Sequence, residues 1–259
     1  MLERRLVDGQ CELNFARGKR LMTDPSVGRT LPFGKSKPPR TFLLLIREDF
    51  STRSVVDRRH RWLEREILPK YPQARIHMMR PVMSVLLMNV NIETARTQMP
   101  DFKGVTHIFL PISDVKDVSR AEGGTHWSLL LVSKLDRVAF HYDSLGAINV
   151  PEARNATNRL GALLGMHLRF QNIDDCPQQE NGNDCGVFVC ILMRHLLVKK
   201  LLNANALEKV NMSMANKMID ANGGRKEMLK IIESLRREGE RRRSASPSPF
   251  ARSEVPRIE

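Results

Sequence analysis

Three side chains in this sequence have the types and settings from which a nucleophilic site is built. Cys185 lies in QQENGNDCGVFVC (178–190), between Asp184 and Gly186, where a polar loop gives way to an apolar run. His126 lies in THWSLLL and Asp143 in VAFHYDS, each at the end of its own apolar segment. A thiol of ordinary pKa, near 8.5, is mostly protonated at neutral pH and needs help to attack a carbonyl. The start of a helix supplies unsatisfied N–H groups and the positive end of the helix dipole. A histidine can take or share the proton, and an acid can hold that ring in one tautomer. Gln179, on a loop with Pro177, Asn181 and Gly182, can donate an amide N–H to an oxyanion beside the Cys185 backbone N–H. Taken singly, a buried Cys is ordinarily an inert small hydrophobe and an Asp before Ser a turn former. The combination carries the catalytic reading.

These residues act together only if the elements carrying them meet. HWSLLLV (126–132) and RVAFHYD (137–143) are β-rich runs joined by SKLD, which predicts a hairpin. In an antiparallel pair the start of one strand lies beside the end of the next, so His126 and Asp143 become neighbours. Trp127 then points to the opposite face or lies over the rim of the cleft. THIFLPI (106–112) predicts a buried strand before the hairpin, and MHLRFQNI (166–173) another strand after it. PEARNATNRLGALLG (151–165) has Ala153, Leu160, Leu163 and Leu164 at helical spacing, with Gly165 as C-cap. CGVFVCILMRHLLVKKLL (185–202) reads as one long apolar helix opened by Cys185. Trp62, Leu63 and Ile67 place a helix over 56–67, and the Met-rich stretch 75–89 is a short helix or a strand filling the core. Helical patterns also occur at 206–219 and 225–238. The order is α+β, with strands clustered before the nucleophile helix.

At 259 residues the chain can bury a real core, and 41% of it is hydrophobic. The net charge is +13 and the pI about 10.1, which invites a nucleic-acid reading. The charge is misplaced for that: residues 104–198 carry 8 basic and 10 acidic side chains, whereas 199–259 carry 14 and 8. With two Trp and two Tyr there is no interleaved aromatic platform, so the flanks read as solvated basic arms. Arg241–Arg243 read as such an arm or as a nuclear address. Residues 1–55 are expected to be a basic, poorly ordered leader, 56–220 the catalytic domain, and 221–259 a helix running into a disordered basic tail.

Cys11, Cys176, Cys185 and Cys190 are too scattered for a disulfide framework and lack zinc spacing, so neither metal nor cofactor is expected. Cys190 points into the core, and Cys176 is structural or incidental. TFLLLI and VLLMNV are too short to span a membrane, and MLERRLVDGQ lacks the apolar region of a signal peptide. A reducing setting, cytoplasm or nucleus, is expected.

GGTHWSLLL, FHYDS and QQENGNDCGVFVC resemble the signature segments of the Ulp1 family of ubiquitin-like-protein proteases. The resemblance is strong over 105–200 and weaker over 62–104. It implies a papain-like fold of the Ulp1 type, a central mixed sheet flanked by helices, with the nucleophile at a helix N-terminus. By position it implies Cys185 as nucleophile, His126 as base, Asp143 as orienting acid and Gln179 as oxyanion donor. It implies Trp127 as cover of a narrow tunnel admitting the modifier's C-terminal diglycine. The wording GGTHWSLL followed by FHYDS is closer to the NEDD8-specific branch than to the SUMO branch. NEDD8 and neddylated proteins such as cullins are then the expected partners, with deneddylation and precursor processing the expected reactions. RWLER (61–65) holds a Trp-Leu pair without the Asn-Asp that family members carry early in the domain. A SUMO-specific protease and a catalytically impaired modifier-binding protein are the alternative readings, and a nucleic-acid binder acting through 199–259 is a third.

Overall fold

The computed structural model describes residues 52–115, 124–204 and 210–245. Five strands follow one another across a single mixed sheet in chain order: β1 (Ile76–Met78), β2 (His107–Ser113), β3 (Trp127–Ser133), β4 (Val138–Tyr142) and β5 (Arg169–Asn172). β2, β3 and β4 are antiparallel, while the outer pairs β1–β2 and β4–β5 are parallel. Each parallel pair requires a crossover. α2 (Pro81–Asn89) and α3 (Ile92–Gln98) supply the first, and α4 (Val150–Leu164) the second. On the opposite face lie α1 (Thr52–Trp62), α5 (Cys185–Arg194) and α6 (Ala221–Ala245).

The period-2 alternation of the strands divides the core in two. Phe109, Trp127, Leu129, Leu131 and Tyr142 pack toward α1, α5 and α6. Ile108, Leu110, Ile112, Leu130, Val132 and Ala139 pack toward α2, α3 and α4. Burial on both faces explains why β3 reads as an unbroken apolar run. It is an α+β arrangement of sheet and flanking helices, as the sequence leads one to expect.

Local signals set most boundaries. The 75–89 stretch is both a strand and a helix: Arg80 is extended and Pro81 opens α2, because the residue before proline avoids helical geometry. Gly165 ends α4 in the left-handed conformation, φ 64°. The long helix from Cys185 changes to π-helical geometry over His195–Leu201, and α1 does the same over Leu63–Ile67. The helix expected over 206–219 is not formed in its described part. There Asp175 accepts from the Met214 backbone N–H at 2.8 Å, Asn211 Oδ1 accepts from Ser213 N at 2.9 Å, and Lys200 Nζ donates to the Ser213 carbonyl at 2.6 Å. These bonds satisfy the backbone in a non-helical path. α6 is longer than the 225–238 pattern indicates. Of the leader expected over 1–55, residues 52–55 belong instead to α1, while residues 1–51, like the tail beyond residue 245, lie outside the described residues.

α1, α5 and α6 are pinned by Arg59, which is 1% exposed. Its guanidinium donates to Glu227 of α6 at 2.9 Å and to the Cys190 carbonyl of α5 at 3.2 Å. Next to it His60 is fully buried, and neither ring nitrogen makes a well-aligned hydrogen bond, although the Met78 backbone is near enough to interact weakly. Burial, with Arg80 and His77 acting the same way against Asp57, lowers its pKa to about 3. The ring is therefore neutral when folded but takes a proton near pH 6.5 when unfolded. Its contribution is intact above that pH and is lost as pH falls toward 3. His60→Leu should flatten the decline of Tm between about pH 7 and about pH 4 without loss at neutral pH. An unchanged acid slope in a thermal-melt series would refute this account.

Candidate active site

Cys185 is the first residue of α5, at the end of the loop 174–184 that follows β5. It is 5% exposed. Gly186 allows this helix start to sit against α1, since a Cβ there would overlap the Thr52 side chain. His126 immediately precedes β3 and Asp143 immediately follows β4. The register Leu129↔Tyr142 places Asp143 opposite Ser128, two residues from the histidine. Across that gap His126 Nε2 donates to Asp143 Oδ1 at 2.6 Å, both side chains being buried. Nδ1 is then the ring nitrogen left for proton exchange, and Cys185 is near enough to the ring to act on its pKa.

Electrostatics favour an imidazolium. Burial opposes charge on His126, but the hydrogen bond to Asp143 and the interactions with Cys185 and the Asp143 carboxylate raise its pKa to about 9. Burial likewise opposes the Asp143 carboxylate. Hydrogen bonds from His126, from Asn149 N at 2.9 Å and from Leu145 N at 2.9 Å outweigh it and hold the group below its usual range. Burial pushes the other two described thiols, Cys176 and Cys190, up to about 12, so both are inert.

Gln179 lies beside the same loop end. Its Oε1 accepts from the Ser144 hydroxyl at 2.8 Å, and its backbone N–H donates to the Ser144 carbonyl at 2.8 Å. Its amide nitrogen carries two N–H groups, of which the Asn181 carbonyl accepts one at 2.6 Å. Gln178 completes the stitching: its Nε2 donates to the Asp143 carbonyl at 3.0 Å, and its Oε1 accepts from Gly146 N at 2.7 Å. Trp127 is 8% exposed and packs in the core layer that contains Cys185. Thus all five residues singled out from the sequence lie around one end of the β3–β4 hairpin.

Sequence reasoning missed the supports. Asp114 accepts from Thr125 N at 2.7 Å, from the Thr125 hydroxyl at 2.5 Å and from His126 N at 3.0 Å, so it clamps the entry to β3. In sequence it belongs to a polar stretch, SDVKD, that signals only the end of a strand. Asn149 is fully buried and donates to the His126 carbonyl at 3.3 Å and the Ser128 hydroxyl at 3.2 Å. Ser128 in turn meets His141 Nε2 at 2.9 Å, and His141 Nδ1 meets Asn172 of β5 at 2.9 Å. The one available signal was His141 in FHYDS, an ionisable residue inside an apolar strand. Among the described residues no cluster of three or more His, Cys, Asp or Glu side chains is arranged to hold a metal ion. No helix among them is long and apolar enough to cross a membrane.

An NMR titration of His126 should show its midpoint near 9 and a fall on Asp143→Asn, which removes the charge that favours the imidazolium. A midpoint near 6.5 in the parent protein would contradict the ion pair.

Comparison with known proteins places this arrangement. The family pattern described as the Ulp1 protease family, C-terminal catalytic domain, matches residues 51–222. NEDD8-specific protease 2 of Schizosaccharomyces pombe is 33% identical over 169 residues, which cover 64% of this chain and 40% of that protein. Human sentrin-specific protease 8 is 39% identical over 85 residues, covering 32% and 39%. The chain thus spans less than half the length of these relatives. Among solved structures, the SUMO protease Ulp1 with its catalytic cysteine oxidised to a sulfenic acid superposes with a TM-score of 0.51 at 17% identity, over 76% of this chain and 84% of that one. The Xanthomonas campestris effector XopD bound to ubiquitin gives 0.50 at 18% identity, over 80% and 100%. At such identities these two likenesses speak for the fold alone. The family match covers well over half of the sequence and runs through every residue of the site: the chain belongs to the Ulp1 protease family.

Proposed function

We propose that the chain is a cysteine protease cleaving after the C-terminal Gly-Gly of a ubiquitin-like modifier, and that the modifier is NEDD8. The observation that carries the chemistry is the 2.6 Å His126–Asp143 pair beside a cysteine at a helix start. The relatives named NEDD8-specific protease in two organisms, at 31–35% identity, support the choice of modifier.

In this reading the Cys185 thiolate attacks the carbonyl carbon of the terminal glycine. The resulting oxyanion is held by the Cys185 backbone N–H and by the Gln179 N–H that Asn181 does not engage. Protonated His126 gives its Nδ1 proton to the departing lysine amine as the C–N bond breaks, leaving a thioester. The now neutral ring removes a proton from water, which attacks the thioester and releases the modifier's carboxylate and the thiolate. Asp143 keeps the ring in one orientation through both steps and stabilises its charged form. Trp127 covers the approach to Cys185, where a passage too narrow for a β-carbon admits glycine alone. The substrates are neddylated proteins, and a NEDD8 precursor presents the same bond. Such an enzyme belongs in a reducing compartment, cytoplasm or nucleus, where its thiol persists.

Propargylamide probes built on NEDD8, SUMO and ubiquitin separate the possibilities. The purified chain should form a covalent adduct with the NEDD8 probe and far less with the other two. Cys185→Ala should abolish the adduct, and Gln179→Ala should lower kcat about 10²-fold. Preferential labelling by SUMO would transfer the assignment to that modifier. Labelling that survives in the Cys185 variant would remove this residue as the nucleophile.

A further inference from the structure

α6 runs Ala221–Ala245, so nearly all of it lies beyond the family match, which ends at residue 222. Its first turn nonetheless docks on the helix that carries Cys185. Gly224 permits the approach: a Cβ there would sit 2.5 Å from Ile191 Cδ1 and 3.0 Å from Val187 Cγ1, both on α5. Asp184, Val187 and Ile191 recur at helical spacing and form the face of α5 that meets α6. Further along, Glu227 pairs with Arg59 at 2.9 Å and with Arg194 at 3.6 Å, and Met228 and Ile231 enter the core.

This docking carries Arg225 to Asp184, the residue before Cys185. The guanidinium donates to Asp184 Oδ1, and Asn181 Nδ2 donates to Oδ2 at 2.7 Å. Asp184 is 3% exposed and makes no side-chain cap to its own helix. A buried carboxylate one residue from a thiol opposes a second negative charge there, because little water screens the two. A guanidinium in direct contact cancels that opposition and fixes the carboxylate in place. The charged groups at this end of α5 include His126 with Asp143 behind it, Asp184 with Arg225, and Arg53 of α1, which follows the Thr52 that meets Gly186.

We infer that Arg225 is a positioning residue for the thiol: from a helix outside the family match, it holds Asp184 neutralised so that Cys185 ionises without a rival charge. The inference rests on the proposed role of Cys185 but not on the identity of the modifier. Gly224 belongs to the same device, since it sets the distance between the two helices.

The test is alkylation of the full chain by iodoacetamide across pH, with the rate at Cys185 read by peptide mass spectrometry and Cys190 as the unreactive reference. Arg225→Gln should slow Cys185 roughly tenfold near neutral pH and move the profile to higher pH, and Arg225→Lys should recover much of the rate. Combining Arg225→Gln with Asp184→Asn should restore reactivity, because the charge that needed cancelling is gone. Asp184→Asn alone should react at least as fast as the parent, which tests the idea even if Arg225→Gln fails to fold. A folded Arg225→Gln as fast as the parent, a double variant as slow as Arg225→Gln, or a slow Asp184→Asn each overturns the inference. A parent Cys185 no faster than Cys190 would instead overturn the proposed activity and take this inference with it.

Discussion

The register between β3 and β4 is the constraint on which the site depends. Side chains alternate along a strand, so a slip of one residue would turn Trp127, Leu129 and Leu131 away from α5 and toward α2 and α4. It would also part His126 from Asp143, which meet only because Leu129 pairs with Tyr142. Hydrophobic burial defines this register weakly, because both faces of the strand are apolar and either would accept leucine. Buried polar groups discriminate where leucines cannot. Ser128, His141, Asn149 and Asn172 bond to one another in the observed pairing, which leaves only Asn149 Oδ1 among these groups buried without a partner, and a slip would cost desolvation at each of the others. The network that locks the hairpin thus also aims the histidine.

The thiol reaches the hairpin by a different route. Cys185 is carried in by α5, and the loop before it is tied to the loop after β4 through Gln178, Gln179 and Ser144. These bonds join segments more than thirty residues apart in the chain. They relate the thiol and the acid as members of one rigid surface rather than as tips of two independent loops. The helix behind the thiol is held in turn by Arg59 and by α6, so the C-terminal helix is part of the same support. A partly buried ion pair of this kind is weak evidence for stability, but it specifies geometry well when its hydrogen bonds are complete.

The candidate site residues stand out because each sits where a local pattern breaks. His126 and Asp143 mark the ends of β-rich runs, and Cys185 marks the change from a polar loop to an apolar helix. The hairpin rule then brings the first two together, since neighbours in an antiparallel pair follow from chain order alone. The supports were hidden for the same reason in reverse. Asp114 lies in a polar stretch that reads as a strand end, and Asn149 between Ile148 and Val150 just before a helix start, and both local readings are complete without them. The stretch 210–219 shows the limit of periodicity: its helical spacing is real, yet side chains from Asp175 and Lys200 offer its backbone better partners.

The sequence by itself therefore determined the class of fold and which residues are candidates for the chemistry. Residue type sets which atoms can attack, donate or hold a proton, and period sets which faces are buried. Only the tertiary structure decided how those atoms are tuned. The raised pKa of His126, the inertness of Cys176 and Cys190, and the pairing of Asp184 with Arg225 all depend on distances and on exclusion of water. Such quantities arise from segments far apart in the chain, and no pattern along it encodes them.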